Sequence, residues 1–519
     1  ETRPCYPIES KNDFALIINN QRFARGDERA VNLTERRGSD TDLKMLEGAM
    51  RQFGYEVVSK TDLEAEEIRK EAEKMSRKIN ANENSSSFVC VILTYGDKGK
   101  IYGSDSECID LKKVTDAFKA VNCPSLTRKP KLFFIQACGV RHDDDEYDYL
   151  NDSEFRCSLD PVEPHFLIAI SLAPENVSFK GRKDGTWVIS ALTEIFTSHC
   201  DNQDVCSMLL NVNKNASSAH AKKGFKQSCQ LVFTTTEIVE FRSTRTMNQT
   251  AIETVTERQN DEAQPYHDDW CYNMEKQYNV AVIINVERFK TKNGEEFHDR
   301  KGSDCDAKKL RQLWEKFGFT IKVPSTVDLT SQTIFEFLEE VAKEINEKKN
   351  SSCFVCCIMS HGSMGKIYGA DNTPLDIYSI IDLFKESNCK ALARRPKIFL
   401  IQACRGHPKV EEEGIHETLD AKTSTAHENS EIVKEVNPHE TDFLIGYSTL
   451  PGDASHRDTE LGTFYINALV QIFQNYHQDE DLLSMMTRVN KELVESKCYE
   501  QCPAPVITLT RKVYFSSTA

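Results

Sequence analysis

Short, almost wholly apolar runs recur along the first half of the chain at Phe14–Ile18, Phe88–Leu93, Leu132–Ala137 and Phe166–Ser171. Runs without polar alternation suit strands buried on both faces of a mostly parallel sheet. Between them Leu43, Leu46, Met50 and Phe53 fall at helical spacing, behind a Ser39-Asp40 pair expected to cap the helix. Leu310, Leu313, Trp314 and Phe317 repeat that spacing in the second half. The pattern predicts an α/β fold, a sheet covered by helices, with ligands at the carboxyl ends of the strands.

The pattern also repeats as sequence. Phe14-Ala-Leu-Ile-Ile-Asn-Asn-Gln-Arg-Phe23 returns as Val280-Ala-Val-Ile-Ile-Asn-Val-Glu-Arg-Phe289, and Arg36-Arg-Gly-Ser-Asp40 as Arg300-Lys-Gly-Ser-Asp304. Gly99-Lys-Ile-Tyr-Gly103 returns as Gly365-Lys-Ile-Tyr-Gly369, and Ile135-Gln-Ala-Cys138 as Ile401-Gln-Ala-Cys404. The blocks keep one order, and each half is far too long for a solenoid unit. Two tandem domains are expected over residues 1–241 and 270–519, joined by a polar linker over 242–269. Each half also carries a long polar insertion after its Gln-Ala-Cys strand; in the second half it runs from His407 to Glu440. A loop that long inside a domain is usually functional or disordered.

A length of 519 residues suits two or three domains, and 28% charged residues with 39% hydrophobic is ordinary for globular protein. The net charge of −16 repels phosphate backbones and anionic lipid, so neither nucleic acid nor membrane is an expected partner. No apolar run approaches a membrane span, and Glu1–Pro7 has no signal-peptide pattern. Many of the 18 cysteines sit inside apolar runs, such as Cys90, Cys353, Cys356 and Cys357. Buried free thiols explain them better than disulfides, and Cys353-x-x-Cys356 lacks the second pair a zinc site needs. A reducing cytoplasmic location follows, with no metal or other cofactor, and the sequon at Asn248 reads as a chance match.

Two residues of the second half pair chemically. Cys404 ends the apolar run Ile398-Phe-Leu-Ile-Gln-Ala-Cys404 and precedes Arg405-Gly406; His361 ends Phe354-Val-Cys-Cys-Ile-Met-Ser-His361 and precedes Gly362. An imidazole is the natural base to activate a thiol near neutral pH. Two strand ends can bring the pair together, and Gly362 lets backbone N–H groups approach an oxyanion.

Gln402-Ala-Cys404-Arg-Gly with a His about 40 residues upstream resembles the caspase signature, and both halves resemble caspase catalytic domains of the executioner group. The resemblance implies, for each half, a mostly parallel twisted sheet of about six strands flanked by helices. It makes Cys404 the nucleophile of a thiol protease and His361 its acid/base. The N–H groups of Gly362 and Cys404 become the oxyanion hole, and Arg300, Gln402 and Arg457, in Ser455-His456-Arg457, the site for a substrate aspartate. Paired guanidinium forks suit a planar carboxylate. The chain departs from the family at His456, where an aromatic is usual, and at Phe464, where tryptophan is.

The first half keeps Cys138, Gln136 and Arg36, but Tyr95 stands at the base position and Lys180 at the second arginine, and Gly139-Val140 follows the cysteine. Tyrosine titrates near 10 and cannot serve as a base at neutral pH, and lysine makes no bidentate fork. A pseudoenzyme domain is expected. The resemblance implies an apoptosis-type hydrolase cascade, protein substrates cut after aspartate, protein inhibitors or activators, and the two halves packed as an intramolecular pseudodimer. The candidate pairing strands are Cys229–Thr235 and Pro505–Leu509. The competing reading is a decoy or scaffold that binds caspase partners without cutting. A caspase zymogen is cut after aspartate between its large and small subunits; the sole aspartate of the loop from His407 to Glu440 is Asp420, in Glu417-Thr-Leu-Asp420-Ala421, making Asp420 the expected cleavage site.

Overall fold

The structure, a computed structural model, describes residues 3–7, 12–24, 33–82, 84–97, 99–138, 163–173, 185–220, 229–241, 270–274, 278–290, 297–326, 328–405, 418–419, 441–451, 453, 455–458, 461–496 and 501–517. The chain divides into two compact units, Glu1–His267 and Asp268–Ala519.

The first unit runs β1 (Phe14–Asn19), α1 (Ser39–Gln52), β2 (Glu56–Thr61), α2 (Ala65–Asn82), β3 (Phe88–Asp97), β4 (Lys100–Tyr102), β5 (Cys108–Asp110), α3 (Leu111–Thr115), β6 (Lys131–Cys138), β7 (Phe166–Ala173), α4 (Trp187–His199), α5 (Val205–His220) and β8 (Cys229–Phe233). Its main sheet has the order β2-β1-β3-β6-β7-β8, parallel throughout except for antiparallel β8. Successive side chains of a strand point to opposite faces. Leu16, Ile18, Cys90, Ile92, Phe133 and Ile135 therefore share one face with Ile68, Ala72, Met75 and Ile79 of α2. The intervening Phe134 meets Phe196 of α4 on the other, ring centroids 5.6 Å apart, and α4 packs on α1 and α5. Burial on both faces is why the strands carry no polar alternation.

The second unit repeats this as β9 (Val280–Asn285), α6 (Ser303–Lys316), β10 (Thr320–Lys322), α7 (Ser331–Lys348), β11 (Phe354–Met359), β12 (Gly362–Ser363), β13 (Lys366–Tyr368), β14 (Pro374–Asp376), α8 (Ile377–Asp382), β15 (Lys397–Gln402), β16 (Thr418–Leu419), β17 (Phe443–Tyr447), β18 (His456–Asp458), β19 (Gly462–Thr463), α9 (Phe464–Tyr476), α10 (Leu482–Glu495) and β20 (Ala504–Ile507). The sheet order is β10-β9-β11-β15-β17-β20, again with only the last strand antiparallel. Trp314 of α6 anchors the helical layer against Phe319, Phe473 and Phe515.

The cap of the first helix differs from the sequence expectation. Ser39 and Ser303 are the first helical residues, and the caps are Gly38 and Gly302, at φ 91° and 88°. The chain turns there directly after the buried Arg36 and Arg300, and that left-handed turn requires glycine. Cys90, Cys353, Cys356 and Cys357 are free and wholly buried, as expected from their runs. Burial pushes the Cys357 thiol up to about 12, which keeps it protonated and inert. Among the described residues, no helix is long and apolar enough to cross a membrane.

Candidate active site

β11 and β15 are parallel neighbours with Met359 opposite Gln402, and the Ser360 N–H continues the ladder to the Gln402 carbonyl at 3.2 Å. That register, extended by two residues, would set His361 opposite Cys404. Gly362 makes the approach feasible: a Cβ there would lie 2.7 Å from both the Ala403 Cβ and the Cys404 carbonyl oxygen. The adjoining β12 and β13 form a small hairpin, from Gly362 opposite Ile367 to Ser363 opposite Lys366.

The His361 ring is fixed on two sides. It stacks on Phe297, with centroids 4.8 Å apart and planes at 18°, and leans on Phe289 at 4.6 Å. Its Nε2 donates to the His298 carbonyl at 2.7 Å. A carbonyl only accepts, so the proton of the neutral ring sits on Nε2 and the lone pair on Nδ1. Cys404 is wholly buried. The Ser455 N–H is directed at its Sγ from 3.1 Å, a contact that favours negative charge on sulfur.

The residues matched to carboxylate recognition lie around this pair. Arg300 is fully buried, its Nη1 donating to Asn285 Oδ1 at 3.1 Å and the Val286 carbonyl at 3.3 Å. Asn285 ends β9, the strand beside β11. Gln402 Nε2 donates to Ser455 Oγ at 2.6 Å, and Gln501 reaches the same oxygen at 3.2 Å. Gln402 Oε1 is buried with no hydrogen-bond partner among the described residues. Arg457, 1% exposed, stands on β18 two residues beyond Ser455. Arg300, Gln402, Ser455 and Cys404 are thus gathered at the carboxyl end of one sheet. Asp420 lies outside the described residues.

Three supports had no sequence signal. The His298 carbonyl and the Ser455 N–H are backbone groups, which any residue type supplies. The third is Asp306, whose two carboxylate oxygens both accept the Thr463 N–H at 3.0 Å. Thr463 caps α9 and lies opposite Arg457 in the β18–β19 hairpin. Gly462 turns there at φ 88°, where a Cβ would strike Asp306. Burial, partly offset by these N–H contacts and by Arg300, raises the Asp306 carboxyl to about 6.

The first unit keeps the frame with different contents. Tyr95 on β3 pairs in register with Cys138 on β6, and a Cβ on Gly96 would again lie 2.7 Å from the Ala137 Cβ. The Tyr95 hydroxyl is tied to Thr34 Oγ1 at 2.9 Å, and its ring meets Phe23 edge-on at 5.1 Å. Buried Arg36 donates to the Asn20 carbonyl at 3.0 Å and to Gln136 Oε1 at 3.2 Å. Asp42 repeats the Asp306 contact, accepting the Thr186 N–H at 2.7 Å. Lys180 and residues 139–162 lie outside the described residues.

A family model described as the caspase domain matches this chain twice, over residues 12–239 and 278–514. Caspase-8 of Mus musculus is 35% identical over 222 residues, 42% of this chain and 45% of that protein. Caspase-3 of Mus musculus is 37% identical over 220 residues, 40% of this chain and 77% of that protein. Caspase-3 of Bos taurus is 30% identical over 248 residues, 46% of this chain and 84% of that protein. The chain spans less than half the length of the caspase-8 sequences it matches.

Proposed function

The chain belongs to the caspase family, with two caspase domains in tandem, and from that premise we propose that residues 270–519 are a cysteine endopeptidase cutting after aspartate. Residues 1–241 are its catalytically dead partner, and 242–269 the linker. One contrast carries the reading: His361, with its tautomer set by the His298 carbonyl, follows β11 where its register with β15, extended by two residues, would reach Cys404, whereas hydroxyl-bonded Tyr95 pairs with Cys138.

In the proposed reaction His361 Nδ1 takes the Cys404 thiol proton and Sγ attacks the carbonyl carbon of the aspartate. The N–H groups of Gly362 and Cys404 receive the oxyanion. The carbon–nitrogen bond breaks, and the amine leaves with the proton from His361. Water, deprotonated by the same ring, then hydrolyses the thioester to a carboxylate and restores the thiol. Arg300, Arg457 and Gln402, its amide reoriented, hold the aspartate side chain, while Ser455 aligns Gln402 and the peptide.

The setting we infer is a cytoplasmic apoptotic cascade, with a zymogen processed at Asp420. The dead half supports the active one in cis, since a short tether sets an effective concentration in the millimolar range.

The test uses the full chain and a fluorogenic aspartyl peptide. Cys404→Ala and His361→Ala are expected to lower kcat by at least about 10³-fold, and Cys138→Ala to leave it near wild type. Equal losses in Cys138→Ala and Cys404→Ala would overturn the assignment of the dead half. An aspartyl electrophile that labels neither cysteine would instead favour a decoy that binds caspase partners.

A further inference from the structure

The first unit buries a positive charge that has no ion-pair partner among the described residues. Arg36 is wholly buried. Its guanidinium donates to neutral oxygens: Asn19 Oδ1 at 3.4 Å, the Asn20 carbonyl at 3.0 Å and Gln136 Oε1 at 3.2 Å. Its Nε has no hydrogen-bond partner, and neither has Nε2 of Gln136, a residue 1% exposed. The carboxylate within electrostatic reach is Asp42. It accepts the Thr186 N–H at 2.7 Å and no hydrogen bond from the guanidinium.

A buried charge is costly unless it is paired, and a buried amide N–H without an acceptor adds to the cost. The two open donors belong to one place. Asn19 and Gln136 stand in a single row near the carboxyl end of the sheet, each opposite Leu93 of β3, and that end is where α/β sheets take ligands. Gln136 Oε1 already accepts from Arg36, which leaves the amide N–H to point a second donor at the same anion. In the second unit the matching amide is held the other way, with Gln402 Nε2 spent on Ser455 Oγ at 2.6 Å.

We propose that Arg36 and Gln136 bind the carboxylate of a peptide aspartate, so that the first unit holds aspartyl peptides without cutting them. A planar guanidinium and an amide N–H suit a planar carboxylate. Charge points the same way: one guanidinium balances one carboxylate, whereas a phosphate near neutrality brings close to two negative charges. The words "without cutting" rest on the reading of Tyr95 as no base; the carboxylate site rests on Arg36 and Gln136 alone. The matching Arg300 and Gln402 are read above as holding a peptide aspartate, which makes that side chain the ligand here too.

The test uses the full chain with Cys404 capped by an aspartyl electrophile, which fills the proposed site of the second unit. The probe is a fluorescent aspartyl tetrapeptide, amidated so that its side chain carries the sole carboxylate, with binding read by anisotropy. One peptide is expected to bind per capped chain. The matching asparaginyl peptide should bind at least about tenfold more weakly, since it loses the charge-assisted hydrogen bonds. Gln136→Glu sets a carboxylate of the same size beside Arg36, and should weaken the aspartyl peptide by at least about tenfold with no fall in the thermal unfolding temperature.

Absence of binding to the capped chain, equal binding of the two peptides, or unchanged affinity in Gln136→Glu overturns the site. Saturable binding of inorganic phosphate in place of the peptide overturns the carboxylate class. The comparison of the two peptides needs no variant, and it decides the case if Gln136→Glu does not fold. An electrophile that labels neither cysteine is a failure of the protease reading alone. The same titrations of the uncapped chain, with and without Gln136→Glu, then decide the site.

Discussion

His361 and Tyr95 stand at matching places after β11 and on β3, and their partners decide what each can do. The imidazole donates from Nε2 to a carbonyl and keeps a lone pair on Nδ1. The phenol is committed to Thr34, and a tyrosine hydroxyl ordinarily titrates near 10. The same scale governs the proposed carboxylate site. A guanidinium offers two parallel donors and an ammonium a point charge, so Arg457→Lys removes one charged hydrogen bond without removing the charge. One such bond is worth about 1.5–3 kcal/mol, which predicts a loss of about ten- to hundredfold in kcat/KM on aspartyl peptides. Steady-state kinetics at fixed pH check it, and an unchanged value would take Arg457 out of the pocket.

At the scale of elements, the site depends on how the β18–β19 hairpin is held to the helical layer. Asp306, on the first turn of α6, does this by accepting the Thr463 N–H that also begins α9. Its folded-state pKa of about 6 lies above the ordinary carboxylate value near 4, so the folded chain holds this proton more tightly than the unfolded one. The resulting contribution to stability is fully present below the ordinary value and is lost as pH rises through about 6. Asp306→Asn should remove it, flattening the dependence of unfolding free energy on pH between 4 and 7 by about 2–3 kcal/mol. Denaturant melts of the full chain across that range measure the slope. A variant with the wild-type slope would show that Asp306 does not titrate there. Asp42, raised to about 6 for the same reason in the first unit, provides the matched comparison.

At the scale of the whole molecule, the two units repeat one fold and differ in the residues at matching positions, His361 against Tyr95. If the dead half supports the live one, residues 270–519 alone should show low specific activity that rises with concentration, as copies pair with each other. The full chain should show activity per molecule independent of concentration, because its tether already supplies the partner. Peptide hydrolysis from nanomolar to micromolar protein distinguishes the two. Full activity of the isolated half at nanomolar concentration would refute the support role.

What the sequence determined by itself was whatever side-chain type encodes. Strands buried on both faces must be apolar throughout, so β1, β3, β6 and β7 were legible, and so was the repetition that makes two domains. Candidates for chemistry confined to side chains could be named from sequence as well: Cys404 and His361 by their motifs, and Tyr95 and Lys180 by their mismatch. Only the tertiary structure showed the parts made of backbone: the carbonyl that sets the His361 tautomer, the N–H directed at Cys404, and the pairing of Thr418 and Leu419 with β18. Every residue carries the same backbone donor and acceptor, so no pattern of side chains announces which of them will meet. The glycine caps follow the same logic, since Ser39 looks like a cap in sequence until the turn after a buried arginine moves that role to Gly38. Asp306 belongs with them: its carboxylate acquires a role only where folding brings it to an N–H more than a hundred residues away.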